Sequence, residues 1–133
     1  MVYFAGYISA LLVLIVGDAL WLSFYFAPNI FRPVLQPLLR DPPNWPVAGL
    51  FYFLYALGIF IFAINPALKS ANWMNALTFG LLFGFMAYMT YDHTNLATLS
   101  AWTLKLAVMD TVWGAAMTGA AATAGYLAAR AAA

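Results

Sequence analysis

Apolar residues run along this chain in four long stretches, at about residues 2–27, 47–64, 73–91 and 104–127, each bounded by proline, asparagine or charge. Each stretch is close to the roughly 20 residues a helix needs to cross the hydrocarbon core of a bilayer. The first is expected to stop at Pro28, which cannot continue a helical hydrogen-bond ladder, and the second at Asn65 and Pro66. Between them lies a proline-rich polar connection. Within it Phe31, Val34, Leu35, Leu38 and Leu39 have helical spacing, which predicts a short amphipathic turn in the membrane interface. No basic residue precedes the first stretch, and it is longer than the apolar region of a cleaved signal peptide, so it reads as a permanent helix. No linker is long enough to separate two cores. The pattern predicts one all-α domain over residues 1–133, a polytopic bundle of four transmembrane helices.

Composition strengthens this reading. The chain is 66% hydrophobic and 7% charged, with a mean hydropathy of +0.89, whereas about a quarter of the residues in a soluble domain are charged. The surroundings implied are a lipid bilayer. A net charge of +1 gives no basic surface for nucleic acid, and the absence of cysteine removes disulfides, thiolate nucleophiles and cysteine-held clusters. Four spans put both termini on one side. Lys69 and Arg130 lie on that side, against Arg32, Arg40 and Lys105 on the other, so the excess of positive charge leans towards termini outside the cytoplasm.

Small residues mark where helices approach closely in lipid. Gly80 and Gly84 are four apart in the third stretch, and the fourth carries Gly114, Ala115, Thr118, Gly119, Ala122 and Gly125, making it the helix expected to be most enclosed by protein. Tyr52, Tyr55, Tyr88, Tyr91, Trp45, Trp73 and Trp102 lie near the ends of the stretches. Rings at such positions commonly anchor at headgroup level.

The acids are misplaced for a lipid-facing bundle. There is no glutamate; Asp41 lies in a loop, Asp18 and Asp110 fall inside stretches, and Asp92 sits at the end of one. A charge at the bilayer centre costs on the order of 2.5–3.5 kcal/mol, so such residues face the interior and have partners. Antiparallel threading brings Asp18, Asp92 and Asp110 to one half of the membrane, together with Arg32, Arg40, His93, Asn95 and Lys105. Asp18-Ala-Leu-Trp21 and Asp110-Thr-Val-Trp113 repeat a spacing that puts acid and indole on adjoining parts of one helical face. With the two helices antiparallel, the repeat allows the two pairs to face each other about a pseudo-twofold axis in the membrane plane, as in small inverted-repeat proteins; a chance match of six residues is the alternative. The plain alternatives are structural: carboxyls used for packing, and capping of a helix end by Asp92, Thr94 and Asn95. Asp92 and His93 are adjacent and diverge on a helix, so no metal half-site is preformed and no metal is assigned; a three-aspartate site assembled from three helices is the arrangement left open. No nucleophile, P-loop or dinucleotide fingerprint specifies a reaction or a cofactor.

Asp18-Ala-Leu-Trp21-Leu22, Phe51-Tyr52-Phe-Leu-Tyr55, Asn65-Pro66-Ala67-Leu68, Tyr91-Asp92-His93-Thr94-Asn95-Leu96-Ala97-Thr98 and Asp110-Thr-Val-Trp113-Gly114 together resemble the bacterial membrane proteins grouped as domain of unknown function 2177. The resemblance spans nearly the whole chain. It implies a four-helix protein of the bacterial inner membrane with no assigned activity, and family members usually carry an aliphatic residue where this chain has His93. Three functions fit the residues. One is a pocket for a small molecule or lipid headgroup, with Asp18, Asp110 and Asp92 as candidate catalytic acids and Trp21, Tyr91, Thr94, Asn95, Trp113, Arg32 and Arg40 as candidate binding residues; two buried carboxyls there could also transfer a proton. The second is a small proton-linked transporter or channel working as a homodimer, with Asp18 and Asp110 as relay groups, and the third an accessory subunit of a larger membrane complex; the protein partners these imply are a homo-oligomer or that larger assembly.

Overall fold

Asparagine and threonine set where three of the four helices begin. Asn44 accepts a hydrogen bond from the Val47 amide at 3.3 Å, Asn72 from Met74 at 2.9 Å and Thr103 from Leu106 at 3.2 Å, each satisfying one of the donors a helix start leaves free. In this computed structural model, which describes residues 1–133, four helices follow one another: α1, Val2–Leu38; α2, Trp45–Ser70; α3, Trp73–Thr98; and α4, Leu104–Ala131. The fold is an all-α four-helix membrane bundle. α1 and α2 are long and apolar enough to cross a membrane. α3 and α4, of 26 and 28 residues, are each about 40 Å long at 1.5 Å per residue.

α4 is the axis of the bundle, and its small residues are the reason. It packs most extensively on α3 and next on α1. A Cβ on Gly84 would lie 2.6 Å from the Gly114 carbonyl oxygen and from the Thr118 side chain, and one on Gly80 would lie 2.7 Å from Ala122 Cβ. On another side of α4, a Cβ on Gly125 would come within 2.7 Å of the Gly6 carbonyl oxygen of α1. Lipid tails are as apolar as the side chains they would replace, so close backbone approach of this kind supplies much of the packing attraction. Leu14 of α1, Ile59, Ala63 and Ile64 of α2, and Ala121 and Ala122 of α4 fill the common core with no exposed surface.

Two helix ends differ from the expectation. α1 does not stop at Pro28: the chain passes through it in a π-helical segment, Leu22–Phe31, and continues as Arg32–Leu35 and a final tight turn, Gln36–Leu38. α2 likewise runs through Asn65 and Pro66 after a π-helical Phe60–Ile64 and ends at Ala71, whose left-handed backbone (φ 52°) turns the chain into α3. In an α-helix a proline ring clashes with the carbonyl four residues back. The wider π turn displaces that carbonyl, and both helices carry it at or just before their proline. Helical turns at Arg32–Leu38 match the helical segment expected within residues 31–39. The aromatic anchors also divide. Trp45 and Trp73 are exposed, but Tyr55 and Trp102 are buried and Tyr52 and Tyr88 half-buried: Tyr55 bonds Thr118 of α4, Tyr52 bonds Asp18 of α1, and Trp102, in the loop before α4, packs against Phe26, Ile30 and Leu106.

Gly84→Ala is expected to destabilise the bundle by about 1–3 kcal/mol through overpacking against α4, read as an earlier unfolding midpoint on titrating the detergent-solubilised protein with SDS. Gly49→Ala, whose Cβ would meet nothing within 4 Å, should leave the midpoint unchanged or raise it. Equal effects at the two sites would contradict the α3–α4 packing.

Candidate functional site

Asp18 sits just short of the middle of α1, buried, with both carboxyl oxygens occupied. Trp113 of α4 donates its indole N–H to Oδ1 at 2.9 Å, and Tyr52 of α2 donates its hydroxyl to Oδ2 at 3.0 Å. One acid thereby joins three helices. Both partners are neutral donors, so neither brings a positive charge to the site.

Asp110 lies a helical turn before Trp113 on α4, so it shares that face. It is half-buried at the same opening. Behind it Asp92 of α3 has no exposed surface, with its carboxyl against that of Asp110. A bond between them requires a proton on one, since two carboxylates are both acceptors. Thr111 makes a long 3.5 Å hydrogen bond to Asp92 Oδ2, and Oδ1 has no partner that meets hydrogen-bond geometry.

Asp18 and Asp110 open onto one cavity of about 500 Å³. Tyr52, Tyr55, Tyr88, Tyr91 and Trp113 give it hydroxyl and indole groups, and Leu22, Phe26, Phe31 and Phe51 give it apolar walls. Tyr55 is held from below by a 2.8 Å hydrogen bond with Thr118. The wall from α1 depends on the π segment. Trp21, Phe26 and Phe31 are five apart and stack in sequence, with centroids 5.8 Å apart at each step. Five residues of α-helix would turn the chain about 140° off line, at 3.6 residues per turn; the π register brings every fifth side chain back to one face. The column continues across the bundle, because Trp21 stacks on Trp113 at 4.5 Å with planes 8° apart.

The two Asp-Trp pairs therefore meet, but only one of the two possible hydrogen bonds forms. Trp113 reaches Asp18, whereas the buried Trp21 Nε1 has no partner. The structure brings together Asp18, Asp110, Tyr91 and Trp113 around the cavity, with Trp21 stacked behind Trp113 and Asp92 behind Asp110. It does not bring in Thr94, whose hydroxyl bonds back to Thr90 and Tyr91 of its own helix. Asn95, Arg32 and Arg40 do not line the cavity either, and both arginines are exposed, as is His93. No three His or Asp side chains are grouped closely enough to hold a metal ion. Tyr52, Tyr55 and Tyr88 are the lining residues that the anchor reading set aside. Their signal was spacing: Tyr52 and Tyr55 are three apart, as are Tyr88 and Tyr91, so each pair shares a helical face.

Trp113→Phe keeps the stacked ring and removes the donor, and Tyr52→Phe does the same at the other oxygen. Each is expected to cost about 1–3 kcal/mol, because a buried acceptor loses its partner, and each should shift the SDS unfolding midpoint downwards. An unchanged midpoint in both variants would show that Asp18 does not tie the helices.

No curated protein and no solved structure matches the chain. A family model described as "Predicted membrane protein (DUF2177)" matches residues 3–127. That match reaches all four helices, stopping four residues short of the end of α4, and takes in every residue of the cavity; the chain belongs to this family of membrane proteins.

Proposed function

We propose that this is a ligand-binding protein of the bacterial inner membrane, with all four helices spanning the bilayer, that takes a small amphiphilic molecule or a lipid headgroup into the cavity between its helices. The observation that carries the reading is the pairing of two acids from different helices with aromatic walls around about 500 Å³ of open space. That volume is within the 300–1,000 Å³ common for small-molecule sites, which are mostly apolar with a few convergent polar groups. Ionisable groups inside a membrane protein are costly and mark functional sites by default. Asp18 already has two donors, so Asp110 is the acid left to meet a ligand. Phe51 and Tyr91, 45% and 51% exposed, form the rim through which the ligand's apolar part would extend into lipid.

Native mass spectrometry of protein extracted in mild detergent tests this. The wild type is expected to retain a bound small molecule or lipid that Asp110→Asn loses in large part, while both proteins keep the same unfolding midpoint. Equal retention by the two proteins, or no adduct on either, would contradict the proposal.

A further inference from the structure

The charges around the cavity do not balance. Asp18 and Asp110 both line it, and no lysine, arginine or histidine does. All five basic residues, Arg32, Arg40, Lys69, Lys105 and Arg130, are exposed. The donors that reach Asp18 are an indole and a phenol, one on each oxygen, and neither carries a positive charge. A phosphate or carboxylate entering this space would face two acids and no cation. A small inorganic cation is poorly served as well: no three His or Asp side chains are grouped closely enough to hold one.

What the lining offers besides the acids is ring faces. Phe26 and Phe31 line the α1 side, Phe51, Tyr52 and Tyr55 the α2 side, and Trp113 the floor beside Asp18. A cation over the face of an aromatic ring is attracted by the ring quadrupole, more strongly when both are out of water, and aromatic cages of this kind recognise quaternary ammonium groups. A cation whose charge is spread over CH groups packs on such rings and meets the carboxylate charge at the same time.

Building on the ligand-binding reading above, we infer that the molecule the cavity takes carries an organic ammonium group, seated between Asp110 and Asp18 against the aromatic wall. The group reaches the site either as the headgroup of a bilayer lipid or as a free amine. Asp110 supplies the accessible charge. The π-helical column of α1 supplies two of the ring faces, and their alignment requires that register.

The test uses the full chain in nanodiscs of phosphatidylglycerol, which has no ammonium group, with tryptophan fluorescence as the readout because Trp113 borders the site and Trp21 stacks on it. Choline and its uncharged isostere 3,3-dimethylbutan-1-ol are titrated in parallel. Choline is expected to give a saturable change with an affinity at least about tenfold above that of the alcohol, a gap of roughly 1.4 kcal/mol. Asp110→Asn should bring choline down to the level of the alcohol, and Asp41→Asn, outside the cavity, should not. Adding phosphatidylcholine or phosphatidylethanolamine to the nanodiscs should weaken apparent choline binding if the source is a lipid headgroup, and leave it unchanged if the source is a free amine. Equal binding of choline and the alcohol, or choline binding insensitive to Asp110→Asn, overturns the ammonium inference and leaves the pocket reading standing. A saturable response to neither compound also overturns it, and the retained adduct in native mass spectrometry then decides the pocket reading by itself.

Discussion

The bundle depends on one carboxyl group. Asp18 accepts a hydrogen bond from Trp113 on α4 and another from Tyr52 on α2, so three helices are held at a fixed depth, with the Tyr55–Thr118 hydrogen bond as a second polar tie between α2 and α4. Apolar packing in lipid discriminates weakly between registers, because sliding one helix past another exchanges one hydrocarbon contact for a similar one. A buried acid with two donors does discriminate: a slip of one turn would leave the oxygens, the indole and the phenol all unpaired, at a cost of about 1–3 kcal/mol for each group. The small-residue seam along α4 sets how near the helices come, and Asp18 sets how they align.

Proline gives the cavity its shape. Pro28 and Pro66 would each break an α-helix, yet both helices pass through them with π turns. In α1 the segment is ten residues long, enough to place Trp21, Phe26 and Phe31 on one face and so make a continuous aromatic wall beside the acids. A device that accommodates a helix breaker thus also lines the site. π segments recur at functional sites for a related reason, since they re-aim side chains that an α register would scatter.

Much of this was legible in the sequence, and the failures have physical causes. Long apolar runs gave four helices in the right order, because every backbone group in lipid must be satisfied within its own segment. The Gly80–Gly84 pair and the small residues of α4 marked the tightest seam, and the placement of Asp18 and Asp110 marked the cavity. Pro28 misled because the rule against it holds for the α register alone. Tyr52, Tyr55 and Tyr88 misled because a ring near a span end has two outcomes, headgroup anchor or inward lining, and only the facing of its helix decides between them. Arg32 and Arg40 were grouped with the acids by depth, but depth fixes only one coordinate. Arg32 is exposed on α1 and Arg40 is exposed in the loop that follows it, and neither lines the cavity.

The most direct measurement is an experimental structure of the protein extracted from its own membrane and held in a lipid nanodisc. The account predicts Trp113 and Tyr52 on the Asp18 carboxyl, an aromatic column through Trp21, Phe26 and Phe31, and density for a bound molecule within hydrogen-bonding distance of Asp110. A dry, closed interior in which Asp110 is covered by side chains, with no space between it and Phe51, would contradict it.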